Sequence, residues 1–197
     1  MTEEPYRWLE AMSHRREYVQ EQLKGGSPAF ACKLPDGILL LGVGTGNSKV
    51  FEIFDRQAFA ALGHPADIEK LRQAAIDAAH LEAFARAPED VTVRRLVSFG
   101  LSPQLKTNFE QIFSAPFLIA ILLAEVHPNP DSDLLVRLHF DGSFQFQPGP
   151  AAAVAPACAL SVSACACAIR NPHRPARSSR TNWNPATACS GSSTTTC

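Results

Sequence analysis

The stretch Gly42-Val43-Gly44-Thr45-Gly46-Asn47-Ser48-Lys49 has the residue types of this 197-residue chain that most invite a chemical reading. Glycines leave backbone amides open to an anion, and a lysine beside a hydroxyl residue can hold phosphate when a helix opens directly after them. Here Lys49 runs into Val50-Phe51-Glu52-Ile53-Phe54, a β-branched and aromatic run that reads as a strand. The segment therefore matches neither a phosphate loop nor a dinucleotide fingerprint and reads as a glycine-rich turn between strands. A nucleotide-binding module built on Gly42 to Lys49 is the weakest functional reading, and it requires saturable nucleotide binding that Gly44→Ala weakens.

Metal and disulfide chemistry find less support. His64, His80 and His139 are scattered: one before a helix, one on a helix surface, one at an outward strand position. Of six cysteines only Cys32 lies in patterned sequence, while Cys158, Cys165, Cys167, Cys189 and Cys197 fall in the last quarter. Cys165, Cys167 and His173 do not make a usual zinc spacing. No metal and no cofactor is implied. A formal charge of -1, from 18 basic and 19 acidic side chains, gives no overall field for nucleic acid. Glu3, Glu4 and Glu10 at the start are unlike a secretory signal, and the apolar run Phe117 to Ala124 is too short to span a bilayer. The expectation is a soluble cytoplasmic protein without nucleic-acid or membrane partners.

The elements that must position any site follow from periodicity. Trp8 to Lys24 reads as an amphipathic helix with Leu9, Met12, Val19 and Leu23 on one face and Arg15, Arg16, Glu17 and Glu21 on the other, ended by Gly25-Gly26. Tyr6 and Trp8 are expected to pack. Ala29 to Cys32, a turn at Pro35-Asp36, and Ile38 to Val43 make a hairpin, followed by strands Val50 to Phe54 and Ala58 to Leu62. Pro65 opens a helix to Ala85 with an apolar stripe of Ile68, Leu71, Ala75, Ala78 and Leu81. A second helix from Thr92 to Phe113 should kink at Pro103. Strands Phe117 to Val126, Leu134 to Phe140 and Ser143 to Gln147 complete the pattern, the last two joined at Asp141-Gly142. Strands, a helix pair and more strands indicate an α+β layered fold.

Several of these stretches, in this order, resemble the bacterial 20S proteasome α-type subunit family, over about residues 5–144. Phe54-Asp55-Arg56-Gln57-Ala58-Phe59-Ala60-Ala61-Leu62-Gly63, then a helix with Asp67 and Leu71-Arg72, is similar to the family's strand and first long helix. Leu9-Glu10-Ala11-Met12 through Lys24-Gly25-Gly26 resembles its N-terminal helix. Asp90-Val91-Thr92, Ala124-Glu125-Val126 and Phe140-Asp141-Gly142-Ser143 fall in the family's order. The resemblance implies an N-terminal nucleophile hydrolase-like αββα sandwich, here incomplete, with the second helix layer missing. It implies a non-catalytic structural and gating subunit of a protein-degradation particle. Its partners would be copies of itself in a ring, β-type subunits and an activator ATPase ring.

The same resemblance singles out two residues. The position of the β-type N-terminal nucleophile falls at about Ser27, and that of the β-type catalytic lysine at Lys49, while Val43 stands near where β-type sites carry a carboxylate. A self-processing hydrolase using Ser27 would need cleavage after Gly26 and is the enzyme alternative. In the α-type setting Lys49 would instead line a pocket between neighbours and pair with the C-terminal carboxylate of an activator, a role suited to a flexible point charge.

Residues 1–147 are thus expected to form a truncated α-type domain, and 148–197, rich in Ala, Pro, Ser, Thr and Cys, a disordered low-complexity tail. The family resemblance implies a continuation here with a strand, a helix pair and closing strands, and the expectation is that a frame change near Gln147 replaced it. Translating the other two frames of the gene beyond Gln147 should yield a family-like continuation; unrelated sequence in both would refute the frame change.

Overall fold

A computed structural model describes residues 4–44, 48–154 and 164–170. Among these, two antiparallel sheets stack face to face, and helices cover the outer face of one of them. The five-stranded sheet has the order β3-β4-β5-β6-β7, from Val50–Phe54, Gln57–Gly63, Ile119–Glu125, Leu134–His139 and Phe144–Phe146. The four-stranded sheet pairs β1 (Ala29–Leu34) with β2 (Gly37–Val43) and adds β8 (Ala151–Val154) beside β1 and β9 (Ala164–Arg170) beside β2. The α+β layering expected from the pattern is present, with two antiparallel sheets.

β5 is buried at every position, and its alternation divides the interior into two cores. Ile119, Ile121 and Leu123 face the helices together with Phe59, Leu71, Val97 and Leu105, while Ala120, Leu122 and Ala124 face the second sheet with Leu40, Ala31 and Ala60. Each buried leucine or isoleucine here contributes about 1.5–3 kcal/mol relative to exposure, which is why this apolar run belongs in the middle of the sheet. Glu125, the last residue of β5, is only 1% exposed despite its charge.

α2 spans Pro65–Ala85, as expected, with His64 Nδ1 accepting from the Ala66 amide at 3.3 Å as its cap. Asp67 in the first turn accepts from the Leu118 amide at 3.0 Å and ties the helix to the start of β5. Its buried stripe is Ile68, Leu71, Ala75 and Ala79, so the four-residue step to Ala79 replaces the expected Ala78 and leaves Leu81 outside. The expected second helix is not continuous. Val93–Arg95 (α3) leads into a π-helical turn, Leu96–Leu101, before Ser102–Glu110 (α4). The Ser102 amide reaches back to the Val97 carbonyl, so the widened turn lets the chain meet Pro103, which has no amide proton, within the first turn of α4. Ending at Glu110, the helix leaves Ile112 and Phe113 exposed. Gly142, at φ 79°, turns β6 into β7 against this helix; a Cβ there would lie 2.5 Å from the Ser102 carbonyl oxygen.

α1 (Glu4–Lys24) docks through Val19, which is fully buried against Phe109 and Phe140, with Met12 and Leu23 beside it. Two expectations fail on this helix. Leu9 is 65% exposed, and Arg15 lies on the docked face, where it donates to the carbonyls of Asn108 and Ser114 at 3.2 and 2.7 Å. Burial pushes the Arg15 guanidinium below its usual pKa. Spacing of 12, 15, 19 and 23 is as helical as the all-apolar stripe, and the Asn108 and Ser114 carbonyls, in and beyond the last turn of α4, reward the arginine. Trp8, expected to pack, is 45% exposed, and the side chain of Tyr6 lies outside the described residues.

Regular structure also extends past residue 147, where composition placed a tail. β8 pairs with β1 from Ala29↔Val154 to Cys32↔Ala151, and β9 with β2 from Gly37↔Arg170 to Val43↔Ala164. Cys165 and Cys167 therefore stand on a strand, opposite Gly42 and Leu40. Backbone pairing along a preformed hairpin does not need an apolar stripe, so alanine-rich sequence suffices. Cys158, Cys189, Cys197, His173 and Trp183 lie outside the described residues. Among the described residues, no helix makes more than marginal contact with the four-stranded sheet, and Phe30 and Leu34 are exposed on it.

One polar pair sits inside the helix-side core. Gln57 and Glu125, neighbours across β4 and β5, hold the start of α3: Gln57 Nε2 donates to the Val91 carbonyl at 2.7 Å, and Glu125 Oε2 accepts from the Val93 amide at 2.8 Å. The Oε1 atom of each is buried without a hydrogen bond. Burial pushes the Glu125 carboxyl up, opposed by the Val93 amide, His127, Arg56 and Arg94. A raised folded-state pKa contributes stability that is fully present below the unfolded value of about 4.3 and is lost as pH rises through the folded value. Glu125→Gln should therefore raise the urea midpoint at pH 7 and flatten its decline above pH 4; an unchanged midpoint at pH 7 would refute a destabilising ionised Glu125. Val19→Asp should cost about 3 kcal/mol or more, an unpaired charge in an apolar site, seen as a lower melting temperature and loss of soluble protein.

Candidate functional site

Ser27 and Lys49 meet in the structure although they are far apart in sequence. α1 ends at Lys24, and Gly26 closes it by donating to the Leu23 carbonyl at 3.0 Å. Gly26 then passes so near β4 that a Cβ would lie 2.0 Å from Leu62 Cδ1. That close passage sets Ser27 at the mouth of β1. Lys49 stands just before β3, its carbonyl accepting from the Ala61 amide at 2.9 Å. Its Nζ donates to the Ser27 carbonyl at 3.0 Å and contacts Ser27 Oγ.

The glycines next to this lysine have a steric role. A Cβ on Gly42 would lie 2.9 Å from Lys49 Cβ, and one on Gly44 would lie 3.1 Å from Lys49 Cε and 3.2 Å from Ser27 Oγ. Their bareness makes room for the Lys49 stem to reach Ser27. Because Lys49 leads into β3 and no helix opens there, the amide fan and dipole of a phosphate loop are missing at this point. Thr45, Gly46 and Asn47 lie outside the described residues.

Ser27 and Lys49 open onto a cleft of 410 Å³ shared with Ser48, Phe51, Ile68 and Glu69. Sequence reasoning missed Glu69. An acidic residue in the first turns of a helix is explained by the helix dipole alone, whereas the packing of α2 brings Glu69 to the cleft. Arg72 donates to it, Nε to Oε2 at 2.8 Å, and this hydrogen bond holds the Glu69 carboxyl below its usual pKa. Among the described residues no carboxylate lies within ion-pair distance of Lys49, and burial alone pushes its ammonium below the usual lysine pKa. Val43, near the expected place of a β-type carboxylate, supplies no charge.

The arrangement can do two things. A half-buried ammonium without a carboxylate can bind an incoming anion, and a lysine touching a serine hydroxyl can accept its proton when neutral. The amine base of an N-terminal nucleophile is not available, because the Ser27 nitrogen is in peptide linkage to Gly26 and α1. His64, His80 and His139 are not brought together, and no group of His, Cys, Asp or Glu suited to a metal ion occurs among the described residues. His139, expected to point outward, is half-buried, and burial pushes its pKa down.

No family model matches the chain. It is 35% identical over 131 residues to the proteasome subunit alpha of Actinosynnema mirum, covering 66% of this chain and 49% of that one. It is 32% identical over 134 residues to the protein of the same name from Acidothermus cellulolyticus, covering 67% and 57%. The Streptomyces coelicolor protein is 32% identical over 136 residues, covering 68% and 53%. The chain is a homologue of proteasome α subunits. It spans about half the length of the curated relatives it matches. The homology agrees with the family read from Phe54–Gly63 and the helix that follows. Among the described residues no helix is long and apolar enough to cross a membrane.

Titration of Lys49 followed by its ¹³Cε chemical shift should give a midpoint below the usual lysine value of about 10.4. A midpoint at or above that value would contradict a desolvated ammonium in the cleft.

Proposed function

We propose that this chain is a structural and gating subunit of a proteasome-like protein-degradation particle, with an incomplete αββα sandwich of the N-terminal nucleophile hydrolase type. It would act in the cytoplasm, in a ring of its own copies beside β-type subunits and an activator ATPase ring. The observation that carries this reading is the homology to proteasome α subunits along two thirds of the chain. The covering of one sheet by α2 to α4, with no helix layer on the other among the described residues, supports a sandwich that lacks its second half.

Within that reading Lys49 is the activator-pocket residue. Its lack of a carboxylate partner and its depressed pKa mean that a peptide C-terminus entering the cleft would restore the lost stabilisation of the ammonium. In a form carrying the family-like second half, Lys49→Ala should keep ring assembly and unstimulated peptide hydrolysis but lose activator stimulation. A charge-assisted contact of about 1.5–3 kcal/mol corresponds to roughly tenfold or more in affinity per site. Equal stimulation of the parent and Lys49→Ala rings would remove the pocket role.

The contact of Lys49 with Ser27 Oγ favours a second reading, a self-processing hydrolase with Ser27 as nucleophile and Lys49 as base. Intact-mass measurement separates the two. A chain that retains the residues before Gly26 is the expected result, and a mature N-terminus at Ser27 would favour the hydrolase.

A further inference from the structure

A second cavity lies between the C-terminal end of α1 and strands β5, β6 and β8, with a volume of 490 Å³. That is within the range of about 300–1,000 Å³ typical of small-ligand sites. Its polar groups are Gln20 and Lys24 from α1 and Arg137 and His139 from β6, and its walls include Leu62 and Phe140. No acidic side chain lines it among the described residues.

Arg137 is the centre of this arrangement. One Nη donates to the Ala153 carbonyl, which fastens β8 over the cavity, and no carboxylate lies within ion-pair distance of the guanidinium among the described residues. Its Nε is buried without a hydrogen bond. A half-buried arginine normally finds a planar anion, because its fork matches a carboxylate. His139 faces both Arg137 and Asp141, and Asp141 is engaged by Arg16 at 3.3 Å and by Ser143. Lys24 pairs with Glu21 on the exposed side of α1, a contact worth little in water.

We infer that this cavity binds a small amphipathic carboxylate, its head between Arg137 and Lys24 and its apolar body against Leu62 and Phe140. The inference is independent of the role of Lys49, whose cleft lies among Ser27, Phe51 and Glu69. Arg137, whose Nε has no hydrogen-bond partner, selects the charge, and the apolar walls reject a bare hydrated ion.

The test is calorimetric titration of the full chain with 4-phenylbutyrate, with its neutral amide and with inorganic phosphate. Saturable binding of the carboxylate with at least tenfold weaker binding of the amide and of phosphate is expected. Arg137→Gln and, separately, Lys24→Gln should each weaken carboxylate binding, the first about tenfold. The His139 imidazole signal should titrate at higher pH when the carboxylate is bound, since a nearby anion favours its charged form. Because Arg137→Gln also loosens β8, Lys24→Gln on the exposed helix and the His139 titration decide the matter if that variant unfolds. No saturable binding up to about 10 mM, a range in which even a −3 kcal/mol interaction begins to register, would overturn the inference. So would equal affinity for carboxylate and amide, or binding indifferent to Lys24→Gln with His139 unmoved.

Discussion

The burial of β5 on both faces is the constraint on which the rest depends. A strand in the middle of a five-stranded sheet can be apolar throughout only if both faces are covered, and Ile119 to Ala124 meet that condition with helices on one side and a second sheet on the other. The pleat then assigns every neighbour. Phe59 and Ala61 on β4 must face the helices, Ala58, Ala60 and Leu62 must face β1 and β2, and a shift of one residue in register would exchange the two sets. The alanines on the inter-sheet side allow the sheets to approach, while the larger side chains fill the space beneath α2 and α4.

The candidate cleft is a by-product of this stacking. Ser27 leads into β1 of one sheet and Lys49 precedes β3 of the other, so the two residues meet only because the sheets lie face to face at that end. The glycines of β2 and the following loop then give the lysine its path. A sequence feature that resembles anion chemistry is here a clearance for one side chain.

How much of this was legible depends on whether local sequence or distant packing decides. β5, α2 and the Asp141-Gly142 turn were readable because their signals are local: an unbroken apolar run, a proline-opened helix with an apolar stripe, an Asp-Gly pair between strands. Val19 was readable as a buried position, but Arg15 and Leu9 were exchanged, since helical spacing alone does not say where the carbonyls of Asn108 and Ser114 will stand. Pro103 announced an interruption without revealing that a π-helical turn would absorb it. Glu125 fell inside the expected strand Phe117 to Val126, but its role as a buried anchor for α3 is disclosed only by the pairing with Gln57. Of the site, Lys49 and Ser27 came from family resemblance, while Glu69, Arg137 and the inward turn of His139 arise from contacts between elements far apart in the chain.

The order of the four-stranded sheet has a kinetic consequence. β1 and β2 form a local hairpin, which closes quickly, but both of its edges are completed by strands from the far end of the chain. On a ribosome the hairpin emerges long before β8 and β9 exist. For that interval it carries two unpaired edges together with the apolar side chains Phe30, Leu39 and Leu41, a combination that templates pairing with other chains. Translation rate and chaperone capture set the time this hairpin spends unpartnered, and with it the time during which such pairing can occur.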